Sequence, residues 1–183
     1  MKRRPVFLFF FLIFLGHPVV SQETEQNDTL HILTFGQLLD SAGMVFTAPD
    51  GYAETEPVHN MQMNYEKAYK HHEEKLEIRY AIRLHEYKFY HQIFEMTALN
   101  ISGGQLPEYN SFNAEAAGKE FGADGGATVF LKMGEEFGMG YKYCLFVYIF
   151  KEGVGDAYIF YLADDNNLIS DRMMDSFYSL KYK

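Results

Sequence analysis

The sequence predicts an α+β fold, a three-layer α/β/α sandwich around a twisted, mainly antiparallel sheet. Three observations point there. Leu76, Ile78, Tyr80, Ile82 and Leu84 alternate with polar or small neighbours in strict period two. Residues 141–150 and 157–163 are apolar on both sides and separated by one short glycine-bearing loop. Segments with helical spacing lie between and after these strands, and strands apolar on both faces need covers on both.

The chain opens with an export signature. Lys2, Arg3 and Arg4 precede an uninterrupted apolar run over residues 6–15, and Gly16 and Pro18 then break the helix. Val19, Val20 and Ser21 set short side chains before a cut, so residues 1–21 read as a removable signal peptide. Ten apolar residues are too few for a membrane anchor, which needs roughly 20. Removing 21 residues from 183 leaves 162, the size of one domain. The cut also removes three cations and takes the formal charge from −9 to −12. An acidic chain with no basic cluster repels phosphate backbones and anionic lipid, which argues against nucleic-acid partners and stable membrane insertion. Residues 22–30, "QETEQNDTL", are polar and read as a flexible leader; residues 31–183 read as a single domain.

The elements then follow in order. "MVFTAPDGYAET" (residues 44–55) is an opening strand and a Pro-x-Gly turn. "MQMNYEKAY" alternates, with Met61, Met63, Tyr65 and Tyr69 expected on one side of a strand. "KHHEE" (residues 70–74) connects it to the strand of residues 76–84 as an exposed hairpin turn. His71 and His72 are neighbours and diverge there, whereas a zinc site needs several ligands converging at about 2 Å. Glu77, Arg79 and Arg83 share the polar face of that strand, which reads as solvated and salt-bridged. Residues 86–99 carry Tyr87, Tyr90, Ile93, Phe94 and Ala98 near helical spacing and end at "NISGG". Residues 113–121 are a short helix closed by Gly122, and "FGADGGA" is a helix stop and turn. Residues 127–133 form a third strand apolar on nearly both sides. On residues 141–150, Tyr141, Tyr143, Leu145, Val147 and Ile149 should share one face. The last helix is expected over residues 171–178, with Ser170 as its N-cap.

This order resembles the PsbP-like family. The resemblance rests on "MVFTAPDGYAET", similar to the family's opening strand and F-x-x-P-x-G-[WY] turn, and on "MMDSFYSLKYK", similar to its closing helix and final short strand. It implies a single PsbP-like domain of the sandwich type over most of residues 40–183. Members of that family include extrinsic photosystem subunits, a nuclear-transport factor that binds a small GTPase, and secretion chaperones, so it implies binding and assembly rather than catalysis. No residue set carries over from it.

Catalytic signatures are absent. There is no Gly-x-Ser-x-Gly, no lysine-bearing phosphate loop and no His-Glu-x-x-His. Cys144 is alone within an apolar strand and reads as a small buried hydrophobe. Glu135 and Glu136 lie in a glycine-flanked, exposed loop, and "ADDNN" (residues 163–167) lacks the glycine and terminal glutamate of a calcium loop. No residue is assigned as catalytic, cofactor-binding or metal-binding. The sequence therefore points to a secreted or periplasmic module without cofactor that contacts another envelope or secreted protein. A small-ligand carrier with an apolar, tyrosine-lined pocket, suggested by the fourteen tyrosines, and an unrecognised hydrolase are the alternatives. Mass spectrometry of the exported protein should find Gln22 at its N-terminus; intact Met1 in a soluble fraction would contradict the signal-peptide reading.

Overall fold

The computed structural model describes residues 33–58, 63–86 and 88–183. The signal peptide, the leader, Met61 and Tyr87 of the sequence reading lie outside the described residues. The elements run α1 (Phe35–Ala42), β1 (Met44–Phe46), β2 (Tyr52–Thr55), β3 (Lys67–His71), β4 (Leu76–Leu84), α2 (Tyr90–Ser102), β5 (Asn110–Phe112), α3 (Ala114–Phe121), β6 (Gly125–Lys132), α4 (Glu135–Gly138), β7 (Tyr143–Lys151), β8 (Gly155–Ala163), α5 (Asn166–Arg172) and β9 (Leu180–Tyr182). A 3-10 turn, Met173–Asp175, follows α5.

Seven strands form one open antiparallel sheet in the order β2-β3-β4-β8-β7-β6-β5, and β1 pairs with β9 in a separate ribbon. The expected central hairpin is present. β7 and β8 pair antiparallel in mid-sheet, with Phe146 opposite Phe160 and Tyr148 opposite Tyr158. All nine residues of β8 are buried. Its odd positions, Ala157, Ile159, Tyr161 and Ala163, join a core with α1, α3 and α5, whereas Tyr158, Phe160 and Leu162 join a second core with α2 and α4. Two cores divided by one sheet make the three-layer sandwich.

Local chemistry sets several boundaries. Thr34 caps α1 by accepting from the Gln37 amide, while Gln37 reaches back to the Thr34 amide at 2.8 Å. This helix is absent from the sequence reading because it is one amphipathic stretch of eight residues, held by its packing on β1 and β4. Gly122 closes α3 with φ 62°, as expected, and Asn113, expected as its first residue, caps it instead. The helix expected from residue 86 starts at Tyr90, because the His85 amide still donates to Val154 across the β7–β8 loop.

Three further expectations are corrected. The terminal helix spans Asn166–Arg172 rather than residues 171–178. Asp165 caps it by accepting from the Asn167 amide, and Ser170 sits inside it with its hydroxyl donating to Asn166. Tyr65 and Tyr69 lie on opposite faces, because the strand starts only at Lys67 and the segment before it folds over the other core. Tyr141 likewise precedes β7 and packs against the α2 side, away from Tyr143 and Leu145.

Gly155 ends the tight β7–β8 connection at φ 149°, and a Cβ there would meet the Arg83 carbonyl oxygen at 2.1 Å. Gly155→Ala should therefore disrupt the β4–β8 register. Ile159→Ala, at a fully buried mid-sheet position, should cost about 2–5 kcal/mol in urea unfolding. A loss below about 1 kcal/mol would contradict the central placement of β8.

Candidate functional site

The polar face of β4 is buried, which corrects the solvated reading. Glu77 and Arg79 are each 1% exposed. Arg79 Nε donates to Glu77 Oε1 at 2.5 Å, the Tyr141 hydroxyl donates to Glu77 Oε2 at 3.0 Å, and Lys70 stands 3.8 Å from the same oxygen. The Arg79 guanidinium lies 5.1 Å from the Tyr65 ring centre. Tyr65 and Phe137 pack edge-on over this face, and together with Tyr141 they exclude water from it. Burial works against the Arg79 charge, but its hydrogen bond to Glu77 holds its pKa above the ordinary value. Burial, followed by the Glu77 charge, raises the Tyr141 phenol. Arg83, the third member of that face, is partly exposed and pairs with Glu66 at 2.7 Å.

A second buried centre closes the other end of the sheet. The Tyr148 and Tyr158 hydroxyls donate to Asp156 Oδ2 at 2.8 and 3.0 Å, and His85 Nε2 lies 3.0 Å from the same oxygen. His85 and Asp156 side chains are 4% and 0% exposed. A His–Asp pair of this geometry can orient an imidazole for proton transfer. Here both side chains are nearly inaccessible, with the Tyr90 ring beside His85 and the Tyr148 and Tyr158 hydroxyls on Asp156. Both centres tie separate segments of the chain together in the interior.

The residues singled out in the sequence do not converge. Cys144 is fully buried, and burial pushes its thiol pKa well up, so it is no nucleophile. Glu135 and Glu136 are exposed on the first turn of α4, a helix where a loop was expected. His71 is partly buried: its Nδ1 accepts from the Glu73 and Glu74 amides at 3.2 Å each, and its ring sits edge-on to Tyr52. His72 is exposed. Among the described residues, no three His, Cys, Asp or Glu side chains gather in a group that could hold a metal. Several tyrosine hydroxyls are spent inside the fold, Tyr80 on Ser179 at 2.9 Å and Tyr182 on the Gly155 carbonyl at 2.9 Å.

What the surface offers instead is an open strand edge. β6 pairs with β7 along its whole length, Gly125–Lys132. Its outer side pairs with β5 only at Gly126, Ala127 and Thr128. From Val129 to Lys132 no described strand lies on that side. Continuing the register would set Pro107 opposite Leu131. The chain turns away instead, and Tyr109 packs on Phe94 at 4.9 Å and donates to Glu95 at 2.7 Å. The turn leaves a groove of about 300 Å³ lined by Ser102, Gln105, Leu106, Pro107, Phe130 and Lys132. Phe130 and Leu106 are 39% and 37% exposed. Residues 127–133 read as a strand apolar on nearly both sides, and nothing in its own sequence separates an edge from a centre.

Comparison with protein-family models, curated proteins and solved structures finds no match to this chain. The resemblance to PsbP-like proteins thus rests on the residues quoted above. No helix among the described residues is long and apolar enough to cross a membrane.

The buried pair makes an asymmetric prediction. Glu77→Ala strands the Arg79 charge in the interior and should cost about 3–5 kcal/mol. Replacing both Glu77 and Arg79 by leucine should cost clearly less than the sum of the single changes in a double-mutant cycle followed by urea unfolding. Additive losses would show that the two side chains are not coupled. In the hairpin, His71→Ala should destabilise while His72→Ala stays within about 0.5 kcal/mol of wild type; equal effects would argue against the His71 cap.

Proposed function

We propose that this chain is an exported, non-catalytic binding module of the cell envelope that meets a protein partner at the outer edge of β6. The observation that carries this reading is the groove at Val129–Lys132, where unpaired strand edge, exposed Phe130 and exposed Leu106 lie together. Proteins normally pair, cover or charge such edges, so an open one beside apolar side chains is a docking feature. The binding and assembly roles implied by the PsbP-like resemblance agree with it, and the N-terminal export signature supplies the compartment.

The alternatives draw less support. Four surface depressions measure about 280–480 Å³, and each is open to solvent rather than the enclosed apolar cavity a carrier needs. A hydrolase would need the His85–Asp156 pair to reach substrate, and their side chains are only 4% and 0% exposed.

Position-specific crosslinking tests the proposal. A photoreactive phenylalanine analogue at Phe130, expressed in the native host, should yield a discrete crosslinked product in the envelope fraction. The same analogue at exposed Glu115 on α3 should not. Equal products at both positions, or none at Phe130, would refute docking at this edge.

A further inference from the structure

Resting on that reading, we infer that the β6 edge takes an extended peptide by strand addition, one with an acidic residue opposite Lys132 and an apolar residue opposite Phe130. Three features of the edge lead there.

The first is geometry. β5 runs antiparallel to β6 and stops at Thr128, so a peptide seated beyond it would continue the same line and polarity. Main-chain hydrogen bonds then give affinity without demanding a particular sequence, and alternate side chains give selectivity. The second is register. Phe130 and Lys132 are two residues apart in one strand and point to the same face. In an antiparallel guest, the residue facing Lys132 comes two places before the residue facing Phe130. The guest motif is therefore acidic-x-apolar, read from its N-terminus. The third is charge and shape. Lys132 is the exposed cation of the groove, and directly opposed unlike charges stabilise a strand pair. Leu106 and Phe130 flank about 300 Å³ of space, room for a large apolar side chain.

Edge lysine and proline also serve as guards against indiscriminate pairing. That role explains Lys132 and Pro107, but a guard does not need Phe130 and Leu106 exposed beside an empty groove. A charged edge with an apolar seat selects its guest by charge rather than refusing all guests.

Two fluorescein-labelled synthetic peptides, Thr-Thr-Glu-Thr-Phe-Thr-Thr and the same peptide with lysine in place of glutamate, distinguish the outcomes by fluorescence anisotropy against residues 22–183. The wild-type protein should bind the glutamate peptide about fivefold tighter than the lysine peptide. Lys132→Glu should reverse that order, and Phe130→Glu should abolish binding of both. Amide exchange across Val129–Lys132 should slow when the glutamate peptide is added. Circular dichroism checks that each variant is folded, and Lys132→Glu, a change at an exposed position, keeps the test available should Phe130→Glu fail to fold. Equal affinity for both peptides, or an order unchanged by Lys132→Glu, would overturn the inference. So would a dimer seen in sedimentation that Phe130→Glu dissolves, because a second copy would then be the occupant. Failure of both peptides with retained crosslinking at Phe130 would remove strand addition and leave the binding module standing.

Discussion

The whole architecture depends on one constraint: the central strands are apolar on both faces. β8 has no exposed residue, and β7 is buried from Cys144 to Ile149. A sheet like this loses the free energy of burial wherever either face meets water, at about 25 cal/mol for each Å² of apolar surface. The chain must therefore return helices to both sides. α1, α3 and α5 answer on one side; α2, α4 and the segment carrying Tyr65 answer on the other.

The two buried charge centres belong to the same logic. Both sit on the α2 and α4 side, the Glu77–Arg79 pair near the start of β4 and Asp156 beside its end. Between them run the stacked rings of Phe94, Phe146 and Phe160. An aromatic core is permissive in shape, and rings can slide past one another at small cost. The Glu77–Arg79 pair lies within β4, and the ties that reach other segments run from Tyr141 and Lys70 to Glu77 and from Tyr148 and His85 to Asp156. Tyr141, Tyr148 and Tyr158 complete these centres with hydroxyl donors. That is where much of the tyrosine excess goes, and it explains why so many tyrosines build no pocket.

Covering is incomplete along the outer side of β6. β5 is three residues long, and the segment before it does not continue its ladder along β6. Tyr109 turns inward to finish the core beside Phe94, which carries the chain off the edge. The groove beside Phe130 and the packing of Tyr109 on Phe94 thus both follow from one turn, "LPEY". Changes that alter the packing of Tyr109 should reach the groove as well.

The sequence by itself determined the period of β4, the Gly122 stop of α3 and the two-sided burial of β7 and β8, because these depend on side-chain chemistry over a few neighbours. Asn113 and Gly122 bound α3 as their chemistry predicts, since a cap is a contact within one turn of chain. The fate of the β4 polar face was not legible. Glu77 and Arg79 look the same in sequence whether water or Tyr65 and Tyr141 cover them, and those covers come from segments 12 and 64 positions away from Glu77. α1 was missed for a related reason: eight amphipathic residues are stable only against a surface built elsewhere. The β6 edge is the clearest case. Pairing partners are assigned by the whole sheet, so whether Phe130 faces a neighbouring strand or an empty groove was decided only when the tertiary structure placed β5 and let it stop at Thr128.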